Sequence, residues 1–255
     1  MTLWVRYEGG FGTLDGDTVT PHRGDMFACA EPAGAPVPLA GIALLPPVVP
    51  GKFIGLWNNF HALATKSGQA IPDTPLYFLK AGSSLLRPGG TIRPPPGYTG
   101  RTLFEGELGI VIGRLCQRCT EPEAAAAIFG YTCVNDVTAL DLLQADPSFP
   151  QWARAKGCDT FGPVGPVIAT GLDPATLIVR TLLNGRERQN YPVADMILPP
   201  ARIVSLLSQE MTLFAGDLIA CGTSLGALPM RPGAMESVVI DGIGALDNSV
   251  EAADL

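Results

Sequence analysis

The chain has 255 residues, with 17 Lys and Arg against 24 Asp and Glu and a formal net charge of −7. An acidic chain has no basic surplus to neutralise a row of phosphates, which argues against a nucleic-acid partner. Its 47% hydrophobic content suits one sizeable core, and no apolar run reaches the roughly 18 residues of a membrane helix.

The start, Met1-Thr2-Leu3-Trp4-Val5-Arg6, lacks the charged n-region and apolar run of a signal peptide. Six irregularly spaced Cys do not form a disulfide framework, so a cytoplasmic location is predicted. Residues 1–50 read as a small β-rich segment, opening with a hairpin through Asp15-Gly16. Pro46-Pro47 and Pro50-Gly51 mark a boundary, after which residues 51–255 form the main domain. A buried strand at 52–57 leads through Asn58-Asn59, read as a cap, into a helix over 60–67.

A short strand follows at 76–79, ending in Lys80, and residues 87–100 form a Pro-rich loop. Residues 103–112 alternate as a strand. Cys116 and Cys119 have no second pair and no nearby His, so they read as two thiols in a loop rather than a zinc site. Glu121 to Phe129 is the clearest helix, with Thr120 as N-cap and Glu123 three residues on. Strands are predicted at 131–134 and 177–183, the latter ending in the hairpin turn Asn184-Gly185, and an amphipathic helix at 203–210. The mixture predicts an α+β protein with a mixed or antiparallel sheet.

The chemistry concentrates in Phe104-Glu105-Gly106-Glu107-Leu108. On a strand Glu105 and Glu107 share one face, while Phe104, Leu108, Ile110 and Ile112 take the other. Two carboxylates so close need a cation, a shared proton or water. A third, Asp136, ends the strand after the Ala-rich helix. Three carboxylates without His or Cys favour a hard cation, Mg²⁺ or Mn²⁺ with Ca²⁺ possible, over Zn²⁺. From the spacing alone the commoner reading is a solvated strand face carrying two Glu, with Asp136 as a turn residue.

With its neighbours the pattern resembles the fumarylacetoacetate hydrolase family over roughly residues 51–250. The matching pieces are the strand leading to Asn58 and His61, the strand end at Lys80, FEGELGIVIG at 104–113, and GYTCVNDVT at 130–138. AKGCDTFGP at 155–163, Leu183-Asn184-Gly185 and the run from Met211 to Thr223 complete it. The resemblance implies a mixed β roll or barrel of the family's C-terminal type, active as a homodimer. It implies a divalent metal on Glu105, Glu107 and Asp136, with Lys156 beside metal and substrate. Lys80, Gly222, Thr223, Asp159 and Gln144 are implied substrate-binding residues, with backbone donors near Gly222 and Thr223 forming an anion nest. The implied substrates are small 2-oxo or 1,3-dicarbonyl acids, chelated so that enolate charge is stabilised.

Three departures qualify this expectation. Hydrolytic members pair the His at position 61 with a Glu three residues later; here that residue is Ala64, which weakens hydrolysis and leaves His61 a candidate base. The positions where such members carry Arg and Gln after Asp136 are Leu140 and Leu143, beside Gln144, which implies a less acidic distal end of the substrate. Arg87, Arg93 and Arg154 are candidate replacements for the missing charge. The loop Gly222-Thr223-Ser224-Leu225-Gly226-Ala227 also lacks the usual Pro. The expected function is metal-dependent C–C cleavage by hydrolysis or decarboxylation. The alternatives are enol–keto isomerisation in aromatic-acid catabolism and a non-catalytic oxo-acid binder.

Overall fold

A computed structural model describes residues 1–252; residues 253–255, the end of the predicted main domain, lie outside the described residues. The chain opens on a meander of β1 (Thr2–Tyr7), β2 (Gly10–Asp15) and β3 (Thr18–Gly24). Gly9 and Gly16 turn it with positive φ, which glycine adopts without a Cβ clash. β4 (Phe53–Trp57), α1 (His61–Ser67), β5 (Leu76–Lys80), β6 (Gly106–Ile112) and α2 (Glu121–Ala127) follow. Next come β7 (Ile128–Asn135), α3 (Leu140–Leu143), α4 (Trp152–Lys156), β8 (Gly162–Thr170), β9 (Ile178–Leu183) and β10 (Arg186–Pro192). The chain closes with α5 (Pro200–Glu210), β11 (Leu218–Ala220), β12 (Met235–Ile240) and β13 (Gly244–Val250).

The larger sheet runs β3-β2-β1-β8-β7-β6-β11-β4-β5, antiparallel throughout this path except where β11 lies parallel to β4. The smaller has the order Thr91–Ile92, β13, β12, β9, β10. This is the mixed β roll of the α+β class that the sequence predicts. The N-terminal meander is continuous with the roll: Trp4 of β1 pairs with Ile168 of β8, and Val5 and Val19 join Ile54, Leu108 and Ile110 in the main core.

β6 and β7 form the centre. Every residue of β6 is buried, Leu108, Ile110 and Ile112 into the main core and Val111 into a second cluster on the other face. A strand covered on both sides reads as an apolar run rather than a clean alternation. The strand predicted over 103–112 breaks at Phe104-Glu105. There the Phe104 N–H donates to Leu228 O and the Glu105 N–H to Asn135 Oδ1, outside the ladder. Phe104 therefore packs with Ile92, Val137 and Phe161, not beside Leu108.

The capping box of α2 forms as predicted, the Thr120 N–H donating to Glu123 Oε2 at 2.8 Å. The helix ends at Ala127, where β-branched Ile128 begins β7. Asn58 and Asn59 do not cap α1, whose N-cap position is Phe60. Asn59 instead donates to Leu198 O and Cys221 O and accepts from the Leu198 N–H, tying α1's entry to distant loops.

Candidate metal centre and substrate cleft

The β6–β7 ladder ends at the pair Gly106–Asn135, and one further step brings Glu105 and Asp136 side by side, the Asp136 N–H donating to Glu105 O at 2.8 Å. Glu107, fully buried inside β6, projects to the same place. Ligand oxygens of Glu105, Glu107 and Asp136 all lie within 4.8 Å of one another. Two buried lysines complete the cluster. Lys156 Nζ, at the end of α4, donates to Glu105 Oε2 (2.8 Å) and Asp136 Oδ2 (2.6 Å). Lys80 Nζ, at the end of β5, donates to Asp136 Oδ1 and to Lys156 O, each at 2.6 Å.

Fully ionised, three carboxylates and two ammoniums leave a net charge of −1. Burial raises an aspartic acid, but Lys156 and Lys80 outweigh it and hold the Asp136 carboxyl below its ordinary value. Burial, reinforced by the Asp136 charge, pushes Glu107 well above the usual carboxylate range. Burial opposes the Lys156 charge, yet Asp136, Glu105 and Glu107 together raise that ammonium above the lysine range. Lys80 goes the other way, lowered by burial that Asp136 only partly offsets.

The cluster fits a hard divalent cation. Its donors are all carboxylate oxygens, and Glu107 Oε1 is buried with no hydrogen-bond partner among the described residues. Glu107 Oε2 accepts from the Gly222 N–H at 2.7 Å. Gly222 has φ +90°, and an added Cβ there would meet Asn59 Cβ and Leu56 O at 3.3 Å. This N–H is spent on Glu107, so Gly222 braces a carboxylate rather than offering an anion nest.

A cavity of about 480 Å³ opens above Glu105, walled by Trp57, Leu63, Lys66 and the segment from Thr223 to Leu228. Thr223 Oγ1 donates to Gly106 O at 3.1 Å and accepts from Gln189 Nε2 at 2.8 Å. Gln189 Oε1 in turn takes the Gly106 N–H at 3.0 Å, and the Tyr191 hydroxyl donates to Gly106 O. Neither Gln189 nor Tyr191 carries a local sequence signal for this role; both reach Gly106 from the smaller sheet.

Several predicted site residues lie elsewhere. His61 is exposed and does not line the cavity, because α1 turns Leu63, Lys66 and Ser67 toward it. At about 100° per residue His61 projects roughly 160° away from Leu63. Asp159 is exposed after α4 and lines a separate cleft with Arg93 and Thr160. Gln144 is an exposed C-cap residue whose N–H closes the last turn of α3. Leu140 and Leu143 are absent from the cavity wall, as are Arg87, Arg93 and Arg154; the cation that faces it is Lys66.

The family model described as fumarylacetoacetate (FAA) hydrolase C-terminal matches residues 52–251, and one described as Rv2993c-like, N-terminal matches residues 4–47. This chain belongs to the fumarylacetoacetate hydrolase family. It is similar to the Mycobacterium marinum 2-hydroxyhepta-2,4-diene-1,7-dioate isomerase, whose crystal structure matches with TM-score 0.90, 36% identity and all of both chains covered. The oxaloacetate tautomerase YisK of Bacillus subtilis is 36% identical over 207 residues, 76% of this chain and 68% of that protein. The maleylpyruvate hydrolase of Sphingobium sp. SYK-6, solved with manganese(II) and pyruvate, matches with TM-score 0.81, 29% identity and all of both chains covered. These relatives are enzymes of the family, and so is this chain. No helix of the described residues is long and apolar enough to cross a membrane.

Proposed function

We propose that this enzyme is a divalent-metal-dependent enol–keto tautomerase, with accompanying decarboxylase activity, acting on short 2-oxo dicarboxylic acids of the oxaloacetate type. The observation that carries the reading is the wall of the cavity above Glu105, which presents one cation, Lys66, and among the described residues no histidine. Enolisation asks for stabilisation of one developing oxyanion and one proton transfer. Hydrolysis asks in addition for a base aimed at water, and among the described residues the wall presents no histidine to act as one. The tautomerase and isomerase activities named for two relatives support the same choice.

Glu105, Glu107 and Asp136 would hold a divalent ion, which would supply electrophilic stabilisation of the developing enolate. Lys156, whose Nζ lies against Glu105 and Asp136, carries the proton of the tautomerisation in this reading: in the enol-to-keto direction it gives a proton to carbon and takes one back from the enol hydroxyl. Its Nζ also offsets the carboxylate charge and holds Glu105 and Asp136 in place. Lys66 at the cleft mouth pairs with the distal carboxylate. Trp57, Leu63 and Leu228 give the cleft apolar walls. His61 takes no step in this reading.

The test is turnover of oxaloacetate, acylpyruvates, fumarylpyruvate and 2-hydroxymuconate-type acids with Mg²⁺, Mn²⁺ or EDTA. Loss of the enol form that needs metal and stops with EDTA is the expected result; release of fumarate from fumarylpyruvate as the main activity overturns it. The expected homodimer belongs to the same proposal. Exposed Leu76, Tyr77 and Leu79 on edge strand β5, with Phe149 nearby, support it, and sedimentation at a monomer mass would refute it.

A further inference from the structure

Glu236 on β12 is buried, and only one of its carboxylate oxygens has a partner: Asn135 Nδ2 donates to Oε2 at 2.9 Å, while Oε1 has none. Directly opposite on β13 stands Asn248, also buried, and its Oδ1 too lacks a partner. Opposed residues of an antiparallel pair share a face, with Cβ atoms about 4.5–5.5 Å apart. Turning either amide over would not supply the missing donor. Asn248 Nδ2 is committed to Arg87 O (3.0 Å) and Gly90 O (2.9 Å). Asn135 Oδ1 is committed to the Glu105 N–H (3.0 Å), which obliges its Nδ2 to face Glu236. Two buried acceptor oxygens on cross-strand partners therefore lack a hydrogen, and one proton shared between them would satisfy both.

We propose that Glu236 is a neutral carboxylic acid donating from Oε1 to Asn248 Oδ1, and that through Asn135 it is a positioning residue for the metal centre. The chain Asn248–Glu236–Asn135 ends on the main-chain N–H of Glu105, and Asn135 directly precedes Asp136. The smaller sheet thus holds the strand ends that carry two of the three carboxylates. Only the positioning half rests on the metal-dependent reading; the proton on Glu236 stands on geometry alone.

The surroundings agree. Leu183 of β9 is apolar, and the Cys133 thiol of β7 is buried and pushed up out of its ionising range. Asp247, next to Asn248, adds a like charge, and no cation forms an ion pair with Glu236 among the described residues. Burial first, then Asp247, pushes the carboxyl well above the ordinary value against the Asn135 hydrogen bond. A group whose folded value is raised contributes stability that is full below its unfolded value, about 4.3, and is lost as pH rises.

Glu236→Gln places an amide N–H where the proton sits and reproduces the neutral acid at every pH. In the metal-free protein its Tm should match wild type near pH 4 and exceed it increasingly toward about pH 8. Infrared difference spectra of wild type minus variant at neutral pH should show a protonated carboxyl band. For the positioning half, Glu236→Ala should weaken Mn²⁺ binding by about tenfold or more, and Glu236→Gln should restore it. A carboxylate band in place of the acid band, or a Gln variant less stable than wild type at neutral pH, overturns the proton assignment. Equal Mn²⁺ affinity in the Ala variant, or no rescue by Gln, overturns the positioning role. If the Ala variant does not fold, Mn²⁺ affinity of Asn135→Ser decides that half, with unchanged affinity refuting it. Because the acid band and the melting curves need no substrate, they remain decisive even if every oxo acid fails to turn over.

Discussion

The residue between the two glutamates is under the tightest constraint in the site. A Cβ added at Gly106 would lie 2.0 Å from Thr181 Oγ1 and 3.3 Å from both Gln189 Oε1 and Thr181 Cβ. Thr181 is buried and β-branched, with its hydroxyl bonded to Gln189 Oε1 at 2.9 Å, so it has little freedom to retreat. Overpacking of this kind costs about 1–3 kcal/mol. Displacing the Thr181–Gln189 hydrogen bond adds about 1 kcal/mol. Gly106→Ala should therefore lose about 2–4 kcal/mol, a Tm drop of roughly 5–15 °C for a domain of this size. It should also weaken Mn²⁺ binding, because Glu105 and Glu107 flank the displaced peptide. Thr181→Ala alone should cost about 1 kcal/mol. In Gly106→Ala/Thr181→Ala the 2.0 Å contact is gone, so the double variant should be more stable than Gly106→Ala, with a coupling of about 1–3 kcal/mol. Thermal melts and Mn²⁺ titration of the three variants give the cycle. Additive losses, or a Gly106→Ala protein that melts and binds Mn²⁺ like wild type, would refute the steric argument.

Glu107→Gln should remain folded and melt at or above wild type while losing measurable Mn²⁺ binding by titration, since it leaves a buried position permanently neutral and keeps the acceptor for Gly222; retained affinity sinks the metal assignment. Lys66→Gln removes an exposed ion pair worth about 1 kcal/mol, so KM for oxaloacetate should rise about fivefold with kcat little changed. The KM of a monocarboxylic 2-oxo acid should not move, and an equal rise for both would remove Lys66 from the distal contact. Lys80→Met leaves Asp136 one buried partner short and should cost about 3 kcal/mol in denaturant unfolding, a loss too small to resolve being the refuting result.

The parts of this molecule legible in the sequence are those whose causes are local. The capping box at Thr120 and Glu123, the Asn184-Gly185 turn (Asn184 at φ 51°) and the triad's place at two strand ends all follow from neighbours in the chain. What neighbours in the chain do not encode is tertiary. Asn59 looks like a helix cap, but Leu198 and Cys221 claim its side chain from 139 and 162 residues away. Lys66 is an ordinary surface lysine until α1 is laid against the Thr223–Leu228 segment. Asp159 and Gln144 are each near a matched motif, yet the turn after α4 and the end of α3 send them outward. Gln189 and Glu236 serve the site from strands of the other sheet, a relation that periodicity within one strand does not encode.

The triad depends on register as much as on residue identity. A slip of one residue in β6 would turn Glu107 to the opposite face and bring Leu108 into the lysine cluster. Two glycines guard against this. Only a glycine fits against Thr181 at position 106, and a Cβ at Gly130, on the neighbouring strand, would meet Ala169 O at 2.5 Å. Each strand is thus locked against a different partner, β6 to the smaller sheet and β7 to β8. The irregularity of the β6–β7 ladder falls between Val111 and Ile112, at the end away from the carboxylates. The end carrying Glu105, Glu107 and Asp136 keeps an unbroken ladder from Gly106 to Val111. Rigidity at that end is what a cluster of like charges needs, because each carboxylate has its own fixed donor: Thr138 Oγ1 for Glu105, the Gly222 N–H for Glu107, and Lys80 for Asp136.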